Sequence, residues 1–243
     1  VNAFSEGAVA AARDAAAPVV TVGGDPGCTL QLTPGERTPD RSTAAIRWQG
    51  ATHQLELPAA GEHNLHNAAM AVAAAVVSGV EPAAALAALA RFPGVVRRLE
   101  VIGEQAGVTV VDDFAHHPTA LAATIAAARQ RWPGRRLVVA FEPRSLTAAR
   151  RAFQEAYLSA LAGADLALVA PPFHRDRLEP SLLLDRDALG RDLKRRGVGA
   201  VVPDGDPVAA LLPLLEPGDV VLGCSSGSFG DFHRRLLELL KAR

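Results

Sequence analysis

Asp112-Asp113-Phe114-Ala115-His116-His117 sets two acids and two imidazoles within six residues. These are the side chains that hold charge and move protons near neutral pH. The run lies between a β-branched stretch, Val108-Thr109-Val110-Val111, and an alanine-rich stretch, Ala120 to Ala128. It is therefore expected to close a strand and open a helix, with Pro118 at the first helical position. In open α/β sheets the crevice at the carboxyl ends of the strands is where ligands bind. Asp and Pro are also ordinary turn residues, so the run alone leaves turn and site both open.

Other residues suited to chemistry occur in groups. Asn64 and Asn67 lie three apart at an expected helix start, hence on one face. Their amides offer donors and acceptors that suit the edge of a heterocycle, although Asn64 also has the type and place of a helix cap. Arg97-Arg98 precedes a strand. A guanidinium fork suits phosphate or carboxylate, and a solvated charge pair is the plain alternative. Glu142-Pro143-Arg144-Ser145 follows another strand, where Arg144 is placed to meet a carboxylate. Ser225-Ser226-Gly227-Ser228 precedes an expected helix, so its N–H groups can hold an anion or simply reverse the chain. His174 and His53 read as structural or solvated, and Cys224 as a buried thiol.

The elements that position these groups follow from periodicity. After Phe92-Pro93-Gly94, strands are expected at Leu99–Ile102, Val108–Val111, Leu137–Phe141, Leu166–Val169, Ala200–Val202 and Val220–Leu222. Helices are expected at Pro118–Arg131, Thr147–Ala162, Asp187–Arg196, Pro207–Leu215 and Ser228–Leu240. Such alternation implies an α/β domain, 93–243, with a mostly parallel sheet and helices on both faces. Residues 1–92 read as α/β with an incomplete set of strands. They hold the tail of a strand at Val1–Ala3, a helix at Glu6–Ala16 and a strand at Val19–Val22. A hairpin of Ala44–Trp48 with His53–Leu57 follows, then a helix from Asn64 to Ser78 stopped by Gly79, and a helix from Pro82.

Composition narrows the class. Apolar residues make up 49% and charged residues 21% of 243, with net charge -1. A packed core is expected, without the basic excess that nucleic-acid binding needs. Cys28 and Cys224 form no metal-type pair, and no run is apolar enough for a signal peptide or membrane span. Two reduced thiols in a cytosolic protein fit this usage best.

The order of three motifs resembles the Mur ligases, the ATP-dependent amide-bond-forming enzymes of peptidoglycan assembly. These motifs are Gly61-Glu62-His63-Asn64-Leu65-His66-Asn67, Arg98-Leu99-Glu100 and Asp112-Asp113-Phe114-Ala115-His116-His117-Pro118. The resemblance implies the later part of a central ATPase domain followed by a Rossmann-like C-terminal domain. Phe141-Glu142-Pro143-Arg144-Ser145 and Ser225-Ser226-Gly227-Ser228-Phe229-Gly230-Asp231-Phe232-His233 are similar to signatures of the ligases that join L-alanyl-γ-D-glutamyl-meso-diaminopimelate to UDP-N-acetylmuramate in peptidoglycan recycling. Those ligases usually carry Asn where this chain has Leu146 and Ser226. The L-alanine-adding members usually carry Gln-Pro-His in place of Glu142-Pro143-Arg144.

What the resemblance implies is specific. ATP and Mg²⁺ would serve the reaction, and an acyl phosphate would form on the lactyl carboxylate. Asn64 and Asn67 would hold adenine, Arg98 would reach the phosphates, and Asp113 would contact the nucleotide. His117 would lie near the incoming amine. His116, Arg144, Ser145, Ser225, Ser226 and Gly227 would contact substrate. The chain contains no Gly-x-x-x-x-Gly-Lys-Ser/Thr, since its only lysines, Lys194 and Lys241, each follow leucine. A fragment inactive by itself is therefore expected, with metal ligands mainly elsewhere. An L-alanine-adding ligase and a non-catalytic peptide- or nucleotide-binding module are the alternatives.

Overall fold

The computed structural model describes residues 1–173 and 175–243, so His174 lies outside the described residues. The chain divides into two units, Val1–Gly94 and Val95–Arg243.

The second unit is built on a six-stranded sheet. Its strands are β5 (Glu100–Gln105), β6 (Val108–Asp113), β7 (Leu137–Phe141), β8 (Leu166–Val169), β9 (Gly199–Val201) and β10 (Val220–Cys224). Their order is β5-β6-β10-β7-β8-β9. Only the β5–β6 pair is antiparallel, joined through Ala106 and Gly107, both at positive φ as a tight hairpin turn requires. The inner strands are apolar runs because both faces are covered. Leu137, Val139 and Phe141 face one core, while Val138 and Ala140 face the other. The first core takes Leu121 and Ile125 of α4 (Pro118–Arg131), Tyr157 and Leu161 of α5 (Gln154–Leu161), and Leu189 and Leu193 of α6 (Arg186–Arg195). The second takes Val208 and Leu211 of α7 (Pro207–Leu211) and Phe232 and Leu236 of α8 (Phe232–Lys241).

Topology then decides where the motifs meet. The chain steps outward from β6 to β7, β8 and β9 with helices on one face, then returns to β10 with helices on the other. Right-handed crossovers demand this change of face when the direction reverses. β10 comes to lie between β6 and β7, with Asp113, Cys224 and Phe141 in register. The loops leaving these three parallel strands therefore share one edge, at the topological switch point.

Two expected helices start late. The Thr147–Ala162 segment is a turn, a short 3-10 stretch at Arg151–Phe153 and then α5. The Ser228–Leu240 segment begins with left-handed Phe229, Gly230 and Asp231, so α8 opens only at Phe232.

The first unit holds a four-stranded sheet in sequence order: β1 (Val22–Gly23), β2 (Leu30–Arg37), β3 (Ser42–Trp48) and β4 (Ala51–Leu57). Leu30, Leu32, Ile46 and Leu55 pack with Leu65, Ala69 and Val72 of α2 (Glu62–Val77). Helix α3 (Pro82–Leu89) follows Gly79, whose φ of 92° ends the preceding helix. Strand β2 was not among the expected strands, and its Pro34-Gly35 is a pair that favours turns. Only Leu30 and Gln31 pair with β1, so Pro34 lies where that side of the strand is open, next to a break in register with β3. The first helix, α1 (Glu6–Ala11), stops five residues short of Ala16. None of its residues is buried, so nothing beyond local propensity extends it.

Candidate functional site

Three loops at one sheet edge build the candidate site in the second unit. The β6 loop is shaped by proline: His117 precedes Pro118 and takes the extended conformation such a residue must adopt. That leaves the His117 side chain exposed at the start of α4, its ring edge against Phe153 with centroids 5.0 Å apart. His116 is half-buried. Its Nδ1 lies 3.0 Å from the Phe114 carbonyl, and its own carbonyl accepts the Tyr157 hydroxyl at 2.7 Å. Burial pushes the Tyr157 pKa up, which keeps it a donor.

Asp113 does not face solvent. It is 2% exposed, and its oxygens accept from Leu99 N (2.8 Å), Ala115 N (2.8 Å) and Thr124 Oγ1 (3.2 Å). The expected direct contact with nucleotide thus finds no open oxygen in this conformation. Asp113 instead braces a strained turn, with Arg97 at φ 60° and Leu99 at φ 47°. Non-glycine residues hold such angles only when their surroundings over-determine them. Here Glu100 accepts from Arg97 N at 2.7 Å, and the Arg97 carbonyl accepts from Phe114 N at 2.9 Å. The turn sends adjacent arginines apart. Arg98 is exposed, with its guanidinium 5.9 Å from the Phe114 ring centroid. Arg97 turns inward to Asp112 (Nε–Oδ2 2.9 Å) and to the carbonyls of Ser225 (2.8 Å) and Gly227 (2.7 Å).

The β7 and β10 loops meet around Arg144. Its guanidinium stacks 3.8 Å over the Phe173 ring and lies 3.7 Å from the Glu142 carboxylate. Ser225, fully buried, donates its hydroxyl to Glu142 and accepts from Gly227 N at 3.0 Å. Ser225 therefore organises the turn instead of offering its hydroxyl to a ligand. A Cβ on Gly227 would fall 2.1 Å from Arg144 Nε, so only glycine permits this approach. Ser226 is half-buried beside it. Ser145 caps its own turn, its Oγ accepting from Ala148 N at 3.0 Å. The Ser225–Ser228 turn does not open α8 directly, because the 3-10 stretch Phe229–Asp231 lies between them.

In the first unit Gly61, at φ 99°, stands at the cap of α2, so Asn64 is not the cap. Asn64 lies inside the first turn and donates its amide to the Ala60 carbonyl at 2.7 Å. Asn67 is exposed one turn on.

Residues 97–227 match the family model described as the Mur ligase glutamate ligase domain. This chain belongs to the Mur ligase family. It is 42% identical over 190 residues to a UDP-N-acetylmuramate–L-alanine ligase of Chloroflexus aggregans, covering 77% of this chain and 39% of that one. It is 39% identical over 180 residues to the UDP-N-acetylmuramate–L-alanyl-γ-D-glutamyl-meso-2,6-diaminoheptandioate ligase of Escherichia coli, covering 73% and 37%. A crystal structure of a murein peptide ligase from Psychrobacter arcticus superposes with a TM-score of 0.70 at 28% identity, over 93% of this chain and 47% of that one. The chain spans about two fifths of the length of these curated relatives, 39% and 37%.

Mur ligases use ATP and Mg²⁺. Among the described residues, no cluster of three or more His, Cys, Asp or Glu is placed to hold a metal ion. Also among them, no helix is long and apolar enough to cross a membrane. Burial, with Asp113 and Asp112 nearby, drives the Cys224 thiol pKa well up, so it stays protonated and inert.

Two residues of this site stood within the quoted motifs without a role of their own. Arg97 stands beside the expected Arg98, and spacing does not tell which neighbour turns inward. His233, on α8, is buried against Gly223 O (3.3 Å) and Asp112 Oδ1 (3.6 Å). Gly223 was its signal, since a glycine inside an apolar strand marks a close approach. Burial lowers the His233 pKa, the Asp112 charge opposing only in part. The fold thus holds His233 neutral, while the unfolded chain takes up its proton first as pH falls. This stabilisation is complete above about pH 6.5 and is lost as pH falls through that value toward the lowered one. Urea midpoints measured from pH 8 to pH 5 should fall toward acid, and His233→Gln should flatten that slope. An unchanged slope in the variant would show that His233 does not carry the effect.

Proposed function

We propose that this chain is the acceptor-side portion of an ATP-dependent ligase joining L-alanyl-γ-D-glutamyl-meso-diaminopimelate to UDP-N-acetylmuramate. In this reading residues 1–92 are the later part of the ATP-binding domain and 93–243 the acceptor domain. The observation that carries it is Arg144, a half-buried cation stacked on Phe173 beside the Gly227 turn. Its fork suits a carboxylate of a peptide that carries several. Similarity to the L-alanine ligase (42%) and to the tripeptide ligase (39%) is nearly equal. The choice therefore rests on Glu142-Pro143-Arg144, which resembles the tripeptide enzymes.

The other residues take roles consistent with their places. ATP, when bound, supplies the phosphoryl group that activates the carboxylate. Arg98, exposed and directed outward by the Asp113 brace, is the cation for its phosphates. Asn64 and Asn67 present amides for the adenine. His117, exposed at the head of α4, stands where a neutral imidazole can take a proton from the incoming amine. His116 shapes that loop through its ring and its carbonyl.

Calorimetric titration of the 243-residue chain with the tripeptide and with L-alanine tests the acceptor. The tripeptide is expected to bind, and L-alanine to bind at least about tenfold more weakly. Losing one charge-assisted contact in Arg144→Ala should weaken the tripeptide by about ten- to hundredfold. Equal or tighter binding of L-alanine would overturn the reading in favour of an L-alanine-adding ligase. The 42% identical relative favours that second reading.

A further inference from the structure

We propose that Arg97 is a positioning residue, whose guanidinium sets the direction in which the Ser225–Gly227 turn presents its N–H groups. The proposal rests on the acceptor reading above for its ligand, and on the geometry alone for its mechanism. One nitrogen of Arg97, Nη2, takes both the Ser225 and the Gly227 carbonyls, while Nε holds Asp112 at the end of β6. In a trans peptide unit the C=O and the following N–H point opposite ways. Drawing both carbonyls onto one guanidinium therefore turns the N–H groups of Ser226 and Ser228 away from Arg97. Among the described residues, neither of those N–H groups has a hydrogen-bond partner. Gly227 lies between them and abuts Arg144, since even a Cβ there would strike its Nε, Cδ and Cζ. The clamp thus sets two unpaired N–H donors and a cation around one glycine, an arrangement that favours an anion.

Arg97 suits this task because its own position is fixed from behind. Its N–H bonds Glu100, its carbonyl accepts from Phe114 N, and its guanidinium lies 5.2 Å from the Phe114 ring centroid. The Asp112 carboxylate compensates its charge, and the side chain is 28% exposed. Lysine in its place has one compact ammonium, which cannot span Asp112 and both carbonyls in a single plane.

The test compares Arg97→Lys with the unaltered 243-residue chain by amide hydrogen exchange and by titration with the tripeptide. Gly227 N–H, bonded to Ser225 Oγ, reports the turn, and the amides of β10 report global stability. Gly227 protection is expected to fall at least about tenfold more than that of the β10 amides, as loss of a charge-assisted hydrogen bond implies. Tripeptide affinity should fall by a similar factor. Retention of both properties overturns the proposal, as does a loss of protection shared equally by β10, which marks a purely structural role. If the unaltered chain binds no tripeptide, the acceptor reading fails, and Gly227 exchange alone decides the clamp. If Arg97→Lys does not fold, Asp112→Asn, which keeps the arginine but removes its ionic anchor, is judged by the same two readouts.

Discussion

Asp113→Ala is expected to lower the stability of the second unit by about 3–5 kcal/mol, the range for a broken buried polar network. The variant leaves Leu99 N and Ala115 N, both buried, without an acceptor, and frees the Thr124 hydroxyl. It also removes a restraint on Arg97 and Leu99 at φ 60° and 47°, angles that L-residues leave when they can. The relaxed turn no longer sends Arg98 outward and Arg97 inward, so nucleotide and acceptor binding should weaken together. Urea unfolding with an unchanged m-value, joined to exchange at the Leu99 and Ala115 amides, measures the effect. A loss below about 1 kcal/mol would show that Asp113 is not the brace and would return it to direct ligand contact.

Gly223→Ala should be the next most damaging change, at about 2–3 kcal/mol, a value typical of overpacking in a filled interior. The new Cβ would sit 2.2 Å from His233 Nε2 and 2.9 Å from Cδ2. That ring is 8% exposed and pinned beside Asp112, so α8 must shift to admit the methyl group. Clearing the ring in Gly223→Ala/His233→Ala should recover part of the loss, making the pair less than additive in thermal or urea denaturation. Strict additivity would rule out the steric conflict.

Much of the second unit can be read from periodicity. The strands Leu137–Phe141 and Leu166–Val169 and the helix Pro118–Arg131 have the same bounds in the structure as in the reading of the sequence. Buried strands that are apolar on both faces, and a proline at a helix start, leave little ambiguity. Where special backbone angles intervene, the reading failed. Phe229, Gly230 and Asp231 at positive φ delay α8, and β2, which contains Pro34-Gly35, was not among the expected strands. Local propensity does not reveal a strand whose partners tolerate a missing N–H on an open side.

The candidate site divides along the same line. The residue types Asp112, Asp113, His116, His117, Arg144 and Ser225–Gly227 can be picked out along the chain, because acids, imidazoles and guanidinium groups at strand ends are chemically conspicuous. Their roles within the site depend on direction. Only the folded chain shows Asp113 turned into the core, Ser225 bonded to Glu142, and Arg97 turned inward while its neighbour Arg98 stays exposed. Sequence by itself determined the α/β class, the motifs and their order, since these follow from side-chain chemistry and periodicity. The tertiary structure decided which groups face a ligand. Placing β10 between β6 and β7 brings Arg97 within bonding distance of carbonyls 128 and 130 residues away, and no local pattern encodes that closure.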